Sequence, residues 1–183
     1  TAGDPDLATT EKLIYAMEEA GAGLIEIGIP FSDPTAEGPV ILEADTRALA
    51  AGTKIKDIFA MLARVREKTR IPMVFLTYAN PIFTYGRDKF FQQCRDVEID
   101  GVIVPDVPFE EKATIAPEAE KYGVEIISMI APTSHQRIQM IAKEAQGYIY
   151  LVSSLGVTGV RKEITTNLKE IVEKIREVSD KPI

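Results

Sequence analysis

The sequence predicts an α/β fold with a parallel sheet, formed by a single domain that spans residues 1–183. Short apolar segments rich in β-formers alternate with amphipathic helical segments, and the strand segments are apolar on both faces, as in sheets covered by helices. The number of strand segments and the length of the chain favour an open doubly wound sheet, since a (β/α)8 barrel has eight strands and usually needs about 250 residues. Unusual polar residues, however, follow several different strands, and this favours a barrel whose loops share one site.

The individual elements follow from hydrophobic periodicity. Five segments carry the strand pattern, and a sixth begins at the end of the chain: Leu24–Ile29, Met73–Tyr78, Val102–Val104, Glu125–Ile130, Tyr148–Ser153 and Lys181–Ile183. Three segments between strands carry a clear helical pattern: Thr9–Ala20, Lys54–Lys68 and Leu168–Val178.

Several residues mark the expected ends of helices. Asp6 can cap the first helix, and Thr53, followed by Asp57, precedes the second. Gly123 follows a helix that contains Tyr122, where a left-handed residue commonly ends a helix.

Composition excludes several classes of function. With 45% apolar residues, 183 residues are enough for one sizeable core. A net charge of −7, from 21 basic and 28 acidic residues, is the wrong sign for binding nucleic acid or an anionic membrane. The single cysteine, Cys94, cannot form an internal disulfide, and there is no apolar run of 18 residues. We expect a soluble protein of a reducing compartment, the cytoplasm.

The candidate functional residues are most concentrated in the segment Leu24–Pro39. Glu26 lies between two isoleucines in a strand predicted to be buried on both sides, so its charge needs a partner or a polar cavity. A salt bridge to a neighbouring element would explain it, and so would a general acid/base. The three prolines of the following loop stiffen it, and this suits a loop that must place Asp33 and Glu37 accurately.

Residue types narrow the chemistry. The only histidine, His135, is expected at a helix start on the surface, and no zinc or two-metal cluster is visible. No lysine falls within a clear strand, so a Schiff-base nucleophile is not evident. Carboxylates and tyrosines remain, and they indicate proton transfer without a metal or a covalent intermediate.

The segment from Leu24 to Pro39 resembles the signature of the tryptophan synthase α subunits, E-x-G-x-P-F-S-D-P followed by D-G-P. Here Glu37 stands where most members have Asp, and Thr35 stands where an aliphatic residue is usual. Four further segments resemble the family in its own order, and they are Thr1–Pro5, Leu76–Pro81, Val104–Pro108 and Tyr150–Gly159. The resemblance implies a (β/α)8 TIM barrel that is incomplete here, because it lacks the first strand and the seventh and eighth βα units.

The resemblance also implies the reaction: indole-3-glycerol phosphate is cleaved to indole and glyceraldehyde 3-phosphate. Glu26 would move protons, Glu37 would accept a hydrogen bond from the indole N–H, and Tyr150 would position the reacting groups. The residues expected to bind substrate are Tyr78, Ile103 and Ile130 around the ring, Thr158 on a closing loop, and Gly159 near the phosphate.

The family works with a β subunit that carries pyridoxal phosphate, in an α2β2 heterotetramer, and no cofactor or metal is expected in this chain. The residues expected at that partner interface are Pro30, Asp33, Asn80, Pro81 and Asp106. Both ends of the chain look cut, and of the phosphate-binding set only Gly159 is present. We therefore expect residues 1–183 alone to be poorly active.

Other interpretations remain open for individual residues. Tyr78 could simply fill the core, and Asp106 could cap a turn. Gly156 and Gly159 alone are a weak indication of a phosphate loop. For the whole protein, the alternative is a non-catalytic subunit that activates a partner. The replacement of the family's usual Asp by Glu37 supports this alternative. A sugar-phosphate isomerase would explain Glu26 as a base but not the P-F-S-D-P loop.

Overall fold

Parallel strands form a wall in the order of the sequence. The computed structural model describes residues 1–154, 156, 157, 159 and 167–183, without the side chain of His135. The strands are β1 (Ile25–Gly28), β2 (Met73–Leu76), β3 (Gly101–Ile103), β4 (Glu125–Ile126), β5 (Ser128–Ile130) and β6 (Ile149–Leu151). They pair in parallel in the orders β1-β2-β3-β4 and β5-β6.

Ile127 separates β4 from β5, and the two form one interrupted strand. Its amide donates to the carbonyl of Val102 at 3.0 Å, so this segment pairs with β3 at its start and with β6 at its end. Five predicted strand segments are therefore present, in parallel and in chain order. Such an arrangement is that of consecutive barrel strands.

The helices are α1 (Leu7–Glu19), α2 (Pro39–Ala50), α3 (Ile55–Arg66), α4 (Ala79–Tyr85), α5 (Arg87–Asp96), α6 (Ala116–Tyr122), α7 (Ile138–Glu144) and α8 (Leu168–Arg176). Two 3-10 helices, Phe109–Thr114 and Pro132–Arg137, precede α6 and α7. Hydrophobic periodicity indicated α1, α3 and α8, and Gly123 marked the end of α6. The remaining helices are short or start at proline, and their patterns were not strong enough to be predicted.

The predicted helix ends are partly correct. Asp6 accepts the amide of Thr9 at 2.7 Å, which confirms it as the cap of α1, and Gly123 ends α6 in the left-handed region with φ of 70°. The cap predicted at Thr53 is wrong, because α3 begins after Lys54 and has no side-chain cap. Thr53 instead lies beside Gly3, which has a φ of 89°.

The strands have two faces with different surroundings. One face packs under the helices and contains large buried side chains such as Ile27, Phe75 and Val102. The other face carries a small separate cluster built on Val74, Ile103 and Ile127. β1 was predicted to be buried on both sides, and this is wrong, because Glu26 is exposed. An acidic side chain with access to water keeps its hydration, so its charge does not require a buried salt bridge.

The two ends of the chain lie at the two edges of the wall. The amide of Ala2 donates to the carbonyl of Gly28 at 2.8 Å beside β1, and the amide of Ile149 donates to the carbonyl of Pro182 at 2.8 Å beside β6. The segment predicted to begin a sixth strand therefore makes a hydrogen bond to β6, but no strand is assigned to it. Within the described residues, every helix is too short or too polar to cross a membrane.

Candidate active site

One face of the strand wall brings Glu26 together with two tyrosines. Glu26 is in register with Val74, whose side chain packs in the cluster that also includes Tyr148 and Tyr150. We call this surface the inner face, and it comprises Glu26, Val74, Ile103, Ile127, Met129, Tyr148 and Tyr150. It therefore combines a carboxylate, two phenols and an apolar floor.

Tyr148 holds the Glu26 carboxylate. Its hydroxyl donates to Glu26 Oε1 at 2.9 Å, across 122 positions of the sequence. Burial and this hydrogen bond both raise the pKa of Tyr148 well above its ordinary value. The phenol therefore stays protonated and remains a donor to Glu26 throughout the neutral range.

Tyr150 lies within the electrostatic influence of both predicted acidic groups. Burial has the largest effect and raises the pKa of Tyr150, and the negative charges of Glu26 and Glu37 raise it further. Glu26 and Tyr150 thus lie on the same face, and Glu37 contributes to the electrostatic environment of Tyr150.

Tyr78 anchors the loop that follows β1. Its ring is buried, with 3% of its surface exposed, and its centroid lies 5.5 Å from that of Phe31. The hydroxyl accepts the Ala36 amide at 3.1 Å and donates to Glu37 Oε1 at 3.3 Å. Burial and the nearby charge of Glu37 raise the pKa of Tyr78 to about 12, against the opposing effect of the Ala36 hydrogen bond. Tyr78 is both a core residue and the group that positions Glu37.

Asp45 on α2 holds the same loop from the opposite side. Its side chain is 5% exposed, and it accepts the Thr1 hydroxyl at 2.9 Å and the backbone amide of Phe31. Burial raises the pKa of Asp45, and the charge of Glu37 adds to this effect. The loop is therefore fixed at Phe31 by Asp45 and at Ala36 by Tyr78.

The predicted ring-binding residues divide between the two faces. Ile103 lies on the inner face. Ile130 does not, because it packs among Ile138, Ile141 and Ile175 under α7 and α8. Side chains of a strand alternate between faces, so its neighbour Met129 takes the inner position. Ile130 therefore does not lie on the face where a ring-binding residue was expected.

The remaining substrate residues lie beyond β6. Thr158, predicted on a closing loop, lies outside the described residues. Gly159 is described and exposed.

The predicted interface residues have different environments. Asp33, Asn80 and Asp106 are exposed, whereas Pro30 and Pro81 are buried. The carboxylate of Asp106 accepts the amide of Ala79 at 3.0 and 3.2 Å. It therefore caps the first turn of α4 from a neighbouring loop, and the interpretation of Asp106 as a cap is correct.

Sequence reasoning missed Tyr148 and Asp45. Tyr148 could have been found, because it lies two residues before Tyr150 in a strand and so must share its face. Asp45 gave no signal, since an acidic residue within an amphipathic helix is usually solvated. Among the described residues, no group of three His, Cys, Asp or Glu side chains could hold a metal ion.

A comparison with protein families gives one match over the whole chain. The family model described as "Tryptophan synthase alpha chain" matches residues 1–183. The curated tryptophan synthase alpha chain of Lacticaseibacillus casei is 48% identical over 181 residues, which are 99% of this chain and 68% of that protein. The alpha chain of Thermoanaerobacter sp. (strain X514) is 47% identical over 182 residues, covering 100% of this chain and 70% of that protein.

Solved structures agree with these relatives. Tryptophan synthase subunit alpha from Campylobacter jejuni superposes with a TM-score of 0.86 at 35% identity, and the match covers 99% of this chain and 73% of that one. A chain from the tryptophan synthase α2β2 complex of Pyrococcus furiosus superposes with a TM-score of 0.87 at 34% identity, with coverage of 98% and 73%.

Proposed function

Because the chain belongs to the tryptophan synthase alpha chain family, we propose that it supplies the catalytic loops of a lyase that cleaves indole-3-glycerol phosphate to indole and glyceraldehyde 3-phosphate. One observation supports this most: the Tyr148 hydroxyl donates to Glu26 on the inner face, where Tyr150 also lies, and the charges of Glu26 and Glu37 both act on Tyr150. These groups suit proton transfer and the stabilisation of positive charge on an aromatic ring.

The proposed reaction is a retro-aldol cleavage with indole as the electron sink. Glu26 in its acid form protonates C3 of the indole ring, and the ring becomes cationic. The resulting carboxylate takes the proton from the hydroxyl on the adjacent side-chain carbon. The C3–carbon bond then breaks, its electron pair restores the aromatic ring, and the side chain leaves as an aldehyde. One proton enters and one is removed, so Glu26 returns to its acid form.

The other groups stabilise this sequence. Glu37 accepts a hydrogen bond from the indole N–H, where positive charge develops. Tyr78, which donates to Glu37, limits the orientations of a side chain one methylene longer than the usual Asp. Ile103 and Met129 form the apolar wall for the ring, with Met129 in the role first predicted for Ile130.

Phosphate binding is expected to depend on more than these residues. The chain spans about 70% of the length of the curated relatives, and barrels commonly bind phosphate at the loops after strands 7–8. We therefore propose that residues 1–183 alone turn over substrate slowly, with Gly159 as their only contribution to phosphate binding.

The proposed partner is a tryptophan synthase β subunit, which carries pyridoxal phosphate, in an α2β2 assembly; both proteins act in the cytoplasm. The similar chain from Pyrococcus furiosus belongs to such a complex, one that shows mutual activation. Asp33 and Asn80 are exposed and available for direct contacts. Pro30, Pro81 and Asp106 would act by fixing the backbone of the loops that bear them.

A chimera provides the test, with residues 1–183 flanked by the segments of the Lacticaseibacillus casei relative that extend beyond the match. If the chimera is an enzyme, Glu26→Gln lowers its rate of indole release by about 100-fold or more, the range for removing a general acid/base. A subunit that only activates its partner would show no indole release in either form, yet Glu26→Gln would still activate the β subunit. Undiminished indole release by Glu26→Gln would refute the assigned role.

A further inference from the structure

A cavity lies on the helix side of the wall, between α6 and α7. Its volume is about 220 Å³. Ile115, Ala119 and Val124 line it from the apolar cluster under α3, α5 and α6, while Ile141 lines it from the cluster under α7 and α8. The cavity therefore occupies the seam between two separately packed parts of the core, near the point where β4 gives way to β5.

The size and lining of the cavity suit a small apolar molecule. An apolar cavity of about 150 Å³ stays dry and can bind benzene. The present cavity is larger, and both apolar and polar residues line it. Of the apolar ones, Ile115, Ile141 and Val124 are buried side chains with 0% to 3% exposure. Lining atoms without a neighbour lose their dispersion contacts, so a ring placed here would restore them.

The rim of the cavity carries charges that are already paired. Lys112 forms an ion pair with Glu144 at 2.5 Å, and Arg137 forms one with Glu110 at 2.6 Å. Both pairs connect the 3-10 helix Phe109–Thr114 to the elements on the far side of the opening. Neither cation is left to bind an anion, whereas Ser134, whose oxygen accepts the Ala131 amide, keeps a hydroxyl hydrogen to donate. These features favour an uncharged ligand with one polar edge.

We propose that this cavity binds a neutral aromatic molecule of one or two fused rings. The ring would fill the seam between the two clusters, and its polar edge would face Ser134 at the opening. The site shares Ile127 and Met129 with the inner face, whereas Glu26, Tyr148 and Tyr150 do not line it. The proposal therefore does not depend on the proposed catalytic function.

Methyl NMR of the 1–183 polypeptide tests the proposal, with indole as the probe. We expect saturable shifts of the Ile115 and Ile141 methyl signals. Ala119→Leu, or Ala116→Leu if the first variant does not fold, fills the cavity and removes these shifts, while the thermal midpoint rises. Ala142→Leu is the matched control, since Ala142 is buried beside the cavity but does not line it. It should lower the midpoint and retain the shifts.

Two further measurements fix the place and the class of ligand. Glu26→Gln should leave the shifts at Ile115 unchanged, so a failure of the catalytic proposal would not affect this one. Charged analogues, indole-3-acetate and tryptamine, should bind roughly tenfold more weakly because a charge must lose water to enter. Shifts confined to Ile103, which lies on the inner face and does not line the cavity, no shifts at millimolar indole, or equal binding of the charged analogues would overturn the proposal.

Discussion

The hydrogen bond between Tyr148 and Glu26 gives the sharpest prediction about the site. Tyr148→Phe removes only the hydroxyl that donates to Glu26 Oε1 at 2.9 Å and leaves the half-buried ring in place. A hydrogen bond to a charged group is worth about 1.5–3 kcal/mol, but Glu26 is exposed and water replaces part of it. We therefore expect a loss of about 1 kcal/mol of transition-state stabilisation, a fall in kcat of roughly fivefold.

The assay is steady-state indole release by the chimera described above. If Tyr148 orients Glu26, kcat falls while KM changes little, because the substrate itself does not contact this hydroxyl in the proposed reaction. Tyr122→Phe is the matched control, since its hydroxyl donates to Asp88 at 3.0 Å on the surface. An unchanged kcat for Tyr148→Phe, or an equal fall for Tyr122→Phe, would refute the positioning role.

Three predictions concern stability and are measured by urea unfolding. Burial raises the folded-state pKa of Asp45, so its ionisation favours unfolding as the pH rises above about 4; Asp45→Asn should match the parent near pH 3 and be more stable at pH 7. An Asp45→Asn variant less stable at pH 7 would contradict this. Gly3→Ala should cost about 2 kcal/mol or more, because φ is 89° and the added Cβ would lie 2.2 Å from Thr53 Oγ1; Thr53→Ala should recover part of the loss. Arg66→Met should cost at least about 3 kcal/mol, because the buried guanidinium donates to the carbonyls of Val97 and Ile71 at 3.0 and 2.7 Å; a loss below about 1 kcal/mol would contradict it.

Local patterns were sufficient to predict the parallel strands and four of the helices. Strand runs and amphipathic helices depend on side-chain spacing, which the sequence shows directly. α2 and α4 were missed for a different reason. Each begins at or near a proline in a segment that was read as a loop, and each is fixed by long-range contacts such as Asp106 with the Ala79 amide.

The carboxylates and Tyr150, for which a catalytic role is proposed, could be named from motifs, but their environment could not. Whether a strand face is covered depends on elements far away in the chain, and this is why Glu26 was expected to be buried and is exposed. The face of Ile130 depended on the register within an interrupted strand, and a slip of one residue exchanges the two faces. The contact of Tyr148 with Glu26 joins residues 122 positions apart, beyond the range of any local pattern.

A crystal structure of the chimera with an indole-3-glycerol phosphate analogue that lacks both side-chain hydroxyls tests the central claim most directly. We expect the ring between Ile103 and Met129, with its N–H about 3 Å from the Glu37 carboxylate and its C3 facing Glu26. A ring bound away from the inner face, or one whose N–H and C3 do not approach Glu37 and Glu26, would contradict the assignment of this face as the site of cleavage.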